Sequence, residues 1–357
     1  MAGSGTEKKV TIYDIAAAAN VSVSTVSRAF SRPGRVSNET LNLVYEAAER
    51  LGYRYENRPA RTTNKKAIPT IAFITQNITN LIHEDIMTGF DDAFEDEYFT
   101  IVAETRTRNR SVDEVANFLA PHVSGIVLVG PLAQDSQLAQ VYKRFPTVIV
   151  QRFAPGIPSV ASDAEDGIRE LVDLFVAKGH QTFTYVRGPN SSWMDGMRWR
   201  TLHNYCHEIG VKLYRTNDTD PDPQGGFKAA KEWLAKPTSA VITFNDMQAS
   251  GFIQALGRRG LRVPEVVSVA GFDNSLAAPL CNPPLTTLSG AYHRIGQEAA
   301  RLLRAQIRGR QEVPEQIHVP AFLTVRGSVG AANPKVREIV AAVLAHSQTA
   351  KTAKTSM

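Results

Sequence analysis

The sequence predicts an α/β protein: a small N-terminal three-helix unit followed by a doubly wound core too long for one sheet. Three observations carry this. Residues 10–30 read VTIYDIAAAANVSVSTVSRAF, two short helices around a tight turn. The net positive charge lies almost entirely before residue 67. From Thr70 onward, apolar runs of four to six residues alternate with helical stretches, the pattern of parallel strands covered on both faces.

In the hairpin, Thr11 stands where an N-cap belongs, and Ile12, Ile15, Ala16 and Ala19 fall on one face of the first helix. Asn20 suits the left-handed conformation that ends a helix, and Val21 plugs the corner. Ser22 then caps a second helix whose core face is Val26 and Ala29. The alanines matter because two helices crossing over a short turn must approach closely. The second helix turns Val23, Ser24, Ser27 and Arg28 outward. Short side chains plus one Arg suit a helix lying in a DNA major groove; an ordinary surface hairpin is the plainer alternative. A Pro-Gly turn with Arg32 and Arg35 leads to a third helix, capped by Ser37, with Glu39 in its first turn. Its apolar face is Leu41, Val44, Ala48 and Leu51, and Gly52 is a natural terminator. Residues 53–68 are basic and polar without apolar periodicity, which makes them a linker.

At 357 residues the chain has room for two or three domains. With 43% hydrophobic and 21% charged residues it is neither disordered nor membrane-embedded in character, and no apolar run approaches a bilayer span. The N-terminus MAGSGTEKK has no apolar h-region, and only Cys206 and Cys281 are present, so a reduced cytoplasm is expected. Of the net +5, all is accounted for by eleven bases against six acids up to Lys66. A basic head on a neutral body is the footprint of a nucleic-acid binder.

The core strands are TIAFIT, FTIVAE, SGIVLVG, TVIVQ, FTYVRG, SAVITFN, VVSVAGFD and LTTLS. Helices fall near residues 80–96, 112–121 and 134–145 in the first half. In such folds ligands bind at the carboxyl ends of strands. Those ends carry Thr75, Gln76, Asn77, Gln151, Arg152, Arg187, Asn245, Asp246, Asp273 and Asn274, beside Trp193 and Arg198. Amides, carboxylates and guanidinium groups with an aromatic face match a polyhydroxylated ring; capping of the following helices is the plainer alternative for each Asn or Asp. There is no dinucleotide or Walker fingerprint, metal spacing or nucleophile elbow, so neither a cofactor nor an enzymatic activity is expected. Near the C-terminus, Val336, Ile339, Val340 and Val343 form one stripe that either packs on the body or oligomerises, and TAKTSM is expected to fray.

These residues resemble the LacI/GalR family of bacterial transcription regulators. Residues 10–30, RVSNETLNLVYEAAERLGY, VSGIVLVG, VASDAEDG, ITFNDMQASG, VPEVVSVAGFDN and PPLTTLS look like that family in the family's order, up to Gly330. The resemblance implies a helix-turn-helix headpiece over residues 1–56 and a hinge over 57–68. It implies a two-lobed core like periplasmic binding proteins, residues 69–158 with 290–317 and residues 159–289 with 318–330, then a tail over 331–357. It implies a homodimer on double-stranded operator DNA, a tetramer if the tail helix oligomerises, and a sugar-like effector between the lobes. By position, Thr11, Tyr13, Ser22, Ser27, Arg35 and Tyr53 would meet phosphates or the groove edge, while Val23, Ser24 and Arg28 would read bases. Asn80, Ile82, His83, Gln151, Trp193, Arg198, Asn245 and Asp273 would hold the effector. The alternative is a solute receptor without DNA function. Three departures stand out. Tyr55, Glu56 and Thr62 replace the hinge's usual Pro-Asn and leucine, with Pro59 inside the hinge. Asn80-Leu81-Ile82-His83 replaces Asn-Pro-Phe-Phe, and Gln151 replaces a frequent Asp, so the effector is expected to differ from a common hexose.

Overall fold

The computed structural model describes residues 10–31, 36–51, 53, 68–95, 97–105, 110–309 and 315–355. The chain forms two compact units, Met1–Ala67 and Ile68–Met357.

The first unit holds α1 (Ile12–Ala18), α2 (Val23–Ser31) and α3 (Asn38–Arg50). Its core is Ile15, Ala16, Ala19, Val26, Ala29, Val44, Ala47 and Ala48. Asn20 takes φ 52°, and Val21 donates its N–H to the Ala16 carbonyl at 3.0 Å, which closes α1. The Ser22 hydroxyl then accepts from the Thr25 N–H at 3.1 Å, and Ser37 does the same for Thr40 at 3.3 Å. Half-buried Val21 joins this core's edge. Gly52, Arg32, Arg35 and the hinge residues Tyr55, Glu56, Pro59 and Thr62 lie outside the described residues.

In the second unit, one lobe is a six-stranded sheet of β1 (Thr70–Thr75), β2 (Phe99–Glu104), β3 (Gly125–Val129), β4 (Thr147–Val150), β5 (Ser159–Asp163) and β11 (Gln316–Pro320). It is covered by α4 (Ile82–Phe94), α5 (Val112–Leu119), α6 (Asp135–Tyr142) and α12 (Tyr292–Ile307). The order is β11-β5-β4-β3-β1-β2, and all pairings are parallel. The other lobe has β6 (Thr182–Val186), β7 (Lys212–Arg215), β8 (Ala240–Thr243), β9 (Ser268–Asp273), β10 (Thr286–Ser289) and β12 (Phe322–Thr324), in the order β12-β10-β9-β8-β6-β7. Only β12 runs antiparallel, against β10. Its helices are α7 (Glu165–Ala177), α8 (Trp193–Glu208), α9 (Pro223–Ala235), α10 (Asp246–Gly257), α11 (Ala277–Leu280) and α13 (Val336–Thr355).

Strands β5, β7, β11 and β12 were not among the expected runs. They are SVASD, KLYR, QIHVP and FLT, short and partly polar, and they become strands by pairing with neighbours distant in sequence. Their placement corrects the lobe limits. β5 belongs to the first sheet, so the chain first crosses at residues 163–165 rather than 158–159. It crosses back at 289–292, and a third time at 320–322 rather than 317–318. At the C-terminus α13 continues to Thr355, through most of the stretch expected to fray. Val336 and Val340 enter the second lobe's core with Trp233, Phe252 and Leu261, so the apolar stripe packs on the body. No helix among the described residues is long and apolar enough to cross a membrane.

Candidate functional site

In the first unit the outward face belongs to α2. Ser22, Ser24, Ser27 and Arg28 are exposed, and Val23 is half-buried. The Ser22 hydroxyl lies 2.8 Å from the hydroxyls of both Ser24 and Thr25, and Arg28 Nε donates to the Ser24 carbonyl at 3.1 Å. That bond ties the guanidinium to the backbone one turn earlier in the helix. Thr11 is exposed and bonds Asp14, whose carboxylate accepts from both Thr11 N and Oγ1 at 2.7 Å. Tyr13 is 68% exposed on α1. Tyr53 is half-buried, its ring 5.9 Å from that of Phe30. Arg35, expected at the phosphates, is outside the described residues.

In the second unit a cleft of about 260 Å³ opens between the two lobes at the carboxyl ends of their strands. Asn80, Ile82, His83, Gln151, Trp193, Arg198 and Asp273 all line it. The strongest polar group is a buried chain at its floor. Arg198, from α8, donates Nη2 to Asp273 Oδ1 at 3.3 Å and Nη1 to the Phe244 carbonyl. Its guanidinium lies 4.2 Å from the centre of the Phe272 ring and 4.8 Å from that of Phe244. Burial opposes the Arg198 charge most strongly, but the Asp273 carboxylate, together with Tyr292 and Tyr185, raises its pKa overall and keeps the guanidinium protonated. Asp273 also accepts from the Tyr292 hydroxyl at 2.6 Å. On the other wall, His83 Nε2 sits 2.9 Å from Thr75 Oγ1, and burial lowers the His83 pKa, favouring the neutral ring. Gln151 Nε2 donates to Ser162 Oγ at 3.0 Å. Trp193 meets Phe153 edge-on at 5.4 Å, giving the cleft an aromatic wall.

Asn245 does not belong to this set. Its Oδ1 accepts from the Gln248 N–H at 2.9 Å and its Nδ2 donates to the Pro221 carbonyl at 3.0 Å, so it is the cap of α10. Arg187, Asp246 and Asn274 also turn away from the cleft: Arg187 pairs with Asp195 at 3.5 Å, and Asp246 binds Ser275 and Thr287. Strand-end reasoning missed Tyr292, which enters from the start of a helix, and Phe244, which is apolar at a strand end. Among the described residues no cluster of three or more His, Cys, Asp or Glu could hold a metal.

An exposed second helix on a helix-turn-helix unit, joined to a two-lobed core with a polar interlobe cleft, defines the class of ligand-responsive DNA-binding regulators. Residues 11–55 match bacterial regulatory proteins of the lacI family, and residues 172–329 match the periplasmic binding protein-like domain. The repressor CytR of Escherichia coli K12 is 28% identical over 91% of this chain and 98% of its own. The ribose operon repressor of Bacillus subtilis is 28% identical over 87% and 95%. The Lac repressor dimer, solved with operator and the anti-inducer ONPF, superposes with a TM-score of 0.65 at 27% identity over 91% of this chain and all of that one. The chain therefore joins a lacI-type DNA-binding domain to a periplasmic binding protein-like domain, and the relatives it resembles along most of its length are transcriptional repressors.

Proposed function

We propose that this chain is a cytoplasmic, homodimeric transcriptional repressor without enzymatic activity. Each α2 reads one operator half-site. A small polyhydroxylated effector, a carbohydrate or nucleoside, binds between the lobes and changes operator affinity by shifting the lobe equilibrium. The observation that carries this is the pairing of an outward Ser24–Ser27–Arg28 face with a buried Arg198–Asp273 pair in a cleft. A carboxylate and a guanidinium side by side can accept from and donate to adjacent hydroxyls, while Trp193 offers a plate for a ring's C–H face. The similar repressors bear on the regulatory sign, and one of them is named for a ribose operon.

The test has two arms. In a gel shift, Arg28→Ala lowers discrimination between selected and random duplexes by about tenfold or more, the weight of one base contact; unchanged selectivity would rule out its base-reading role. In a thermal-shift screen of sugars and nucleosides, a true effector raises the melting temperature of the wild type and not of Asp273→Ala. A hit that stabilises both equally would place its site elsewhere.

A further inference from the structure

The second crossover between the lobes, residues 290–292, is tied to both walls of the cleft. From one side, Tyr292 opens α12 and its ring lies in the first lobe's core, yet its hydroxyl donates to Asp273 at the end of β9 in the other lobe. From the other side, Gln151 donates to the Ser162 hydroxyl, and Ser162 donates to the Gly290 carbonyl at 3.0 Å. Two hydrogen-bond chains therefore run from cleft groups, Arg198–Asp273 and Gln151, onto the same three-residue segment.

The backbone of these groups is also held away from its preferred conformations. Gln151 has φ 62°, Asp273 φ 106° and Ala291 φ 49°, all in the left-handed region that non-glycine residues avoid. Such strain persists only where neighbours over-determine it, and it clusters at ligand clamps and switch regions. Gly290 has no freedom to change: a Cβ there would stand 2.4 Å from Tyr292 Cζ and 2.8 Å from Ser162 Oγ.

We propose that Tyr292 is the positioning residue that aims Asp273 from the opposite lobe, and that the Gln151–Ser162 chain couples the first wall of the cleft to the same crossover. The Tyr292 hydroxyl occupies one acceptor site of the carboxylate that an effector hydroxyl would use. An arriving effector competes for that carboxylate and, through Gln151 and Ser162, for the hold on Gly290. Occupancy of the cleft is thereby converted into a change at the crossover where the lobes turn. Arg198 is left in place throughout, because its second bond, to the Phe244 carbonyl, stays within its own lobe.

The proposal rests on the reading of the cleft as an effector site, but its test uses the full ligand-free chain. It can therefore fail while effector binding stands, and effector binding can fail in the thermal-shift screen while it holds. Hydrogen exchange is compared for wild type, Tyr292→Phe, Ser162→Ala and Ser239→Ala. The last removes a buried hydrogen bond to His180, at 2.9 Å, remote from the crossover, and reports general destabilisation. The expected result is that Tyr292→Phe and Ser162→Ala each speed exchange about tenfold at amides of residues 77–83 and 190–194, on both cleft walls. Amides of β3 and β8 stay protected, and Ser239→Ala leaves both walls unchanged. A rise shared equally by Ser239→Ala, or no rise at the walls, overturns the coupling.

Discussion

Asp246 and Asp273 lie close together in the second lobe, and their environments set them apart. Asp273 has Arg198 and Tyr292 as partners. Asp246 is 1% exposed and accepts from Ser275 N at 2.8 Å and Thr287 Oγ1 at 2.6 Å, with no cation among these partners. Burial first, and the Asp273 charge second, push its pKa up to about 7. In the unfolded chain the same carboxyl ionises near ~3.9. Between about pH 4 and pH 7 the folded chain keeps a proton that the unfolded chain has released, so this group's contribution to stability falls as pH rises through that window and levels off above it. Urea unfolding of wild type and Asp246→Asn at pH 5 and pH 8 isolates the effect. The wild type should lose ground to the variant on going to pH 8, and a difference independent of pH would contradict the raised pKa. The raised pKa was not readable from the sequence: as strand-end acids Asp246 and Asp273 look alike, and only the family resemblance singled out Asp273 for the effector. Which of them faces the cleft depends on the turn after each strand. One residue earlier in that first turn, Asn245 is taken up by capping, the plainer of the two roles its position allowed.

Elements were legible where their pattern is self-sufficient. The α1–α2 hairpin, the Ser37 cap and the apolar strands β1, β3, β4, β8 and β9 bury their runs as the periodicity requires. The pattern failed where a strand is made by its partners: β7 as KLYR and β12 as FLT carry too little apolar signal alone. The stripe on α13 was visible, but its destination was open, since a two-turn seam can face a body or a copy equally well. In the structure Val340 is 1% exposed and Ala341, next to it, is exposed. Truncating Val340 to Ala removes two buried carbons and leaves a cavity, a loss of about 2 kcal/mol in urea unfolding. Ala341→Ser, on the outer side of the same turn, should change stability by less than about 0.5 kcal/mol. Equal effects at the two positions would mean that α13 does not dock on its lobe.

At the scale of the whole molecule, the fate of α13 bears on assembly. A helix whose apolar stripe already packs into its own lobe has little of it left for a helical bundle with other chains. Val336 and Val340 are buried there, and Ile339, Val343 and Leu344 pack half-buried against the same core. The core still shows apolar side chains to solvent: Leu276 and Leu280 are 68% and 76% exposed, and Phe99 and Phe118 are 61% and 70% exposed. Where exposed apolar side chains gather into a contiguous patch, they mark a place for a partner. A symmetric interface between two copies uses the same patch on both chains, and such an isologous contact closes at two. Assembly should therefore stop at the dimer. Sedimentation velocity of the full chain at micromolar concentration should give a single species of twice 39.1 kDa. Because α13 is not the contact, Val340→Ala should leave that mass unchanged while lowering stability. A tetramer in the wild type that Val340→Ala dissociates would mean that α13 leaves its lobe to pair with other copies, which the packed stripe argues against.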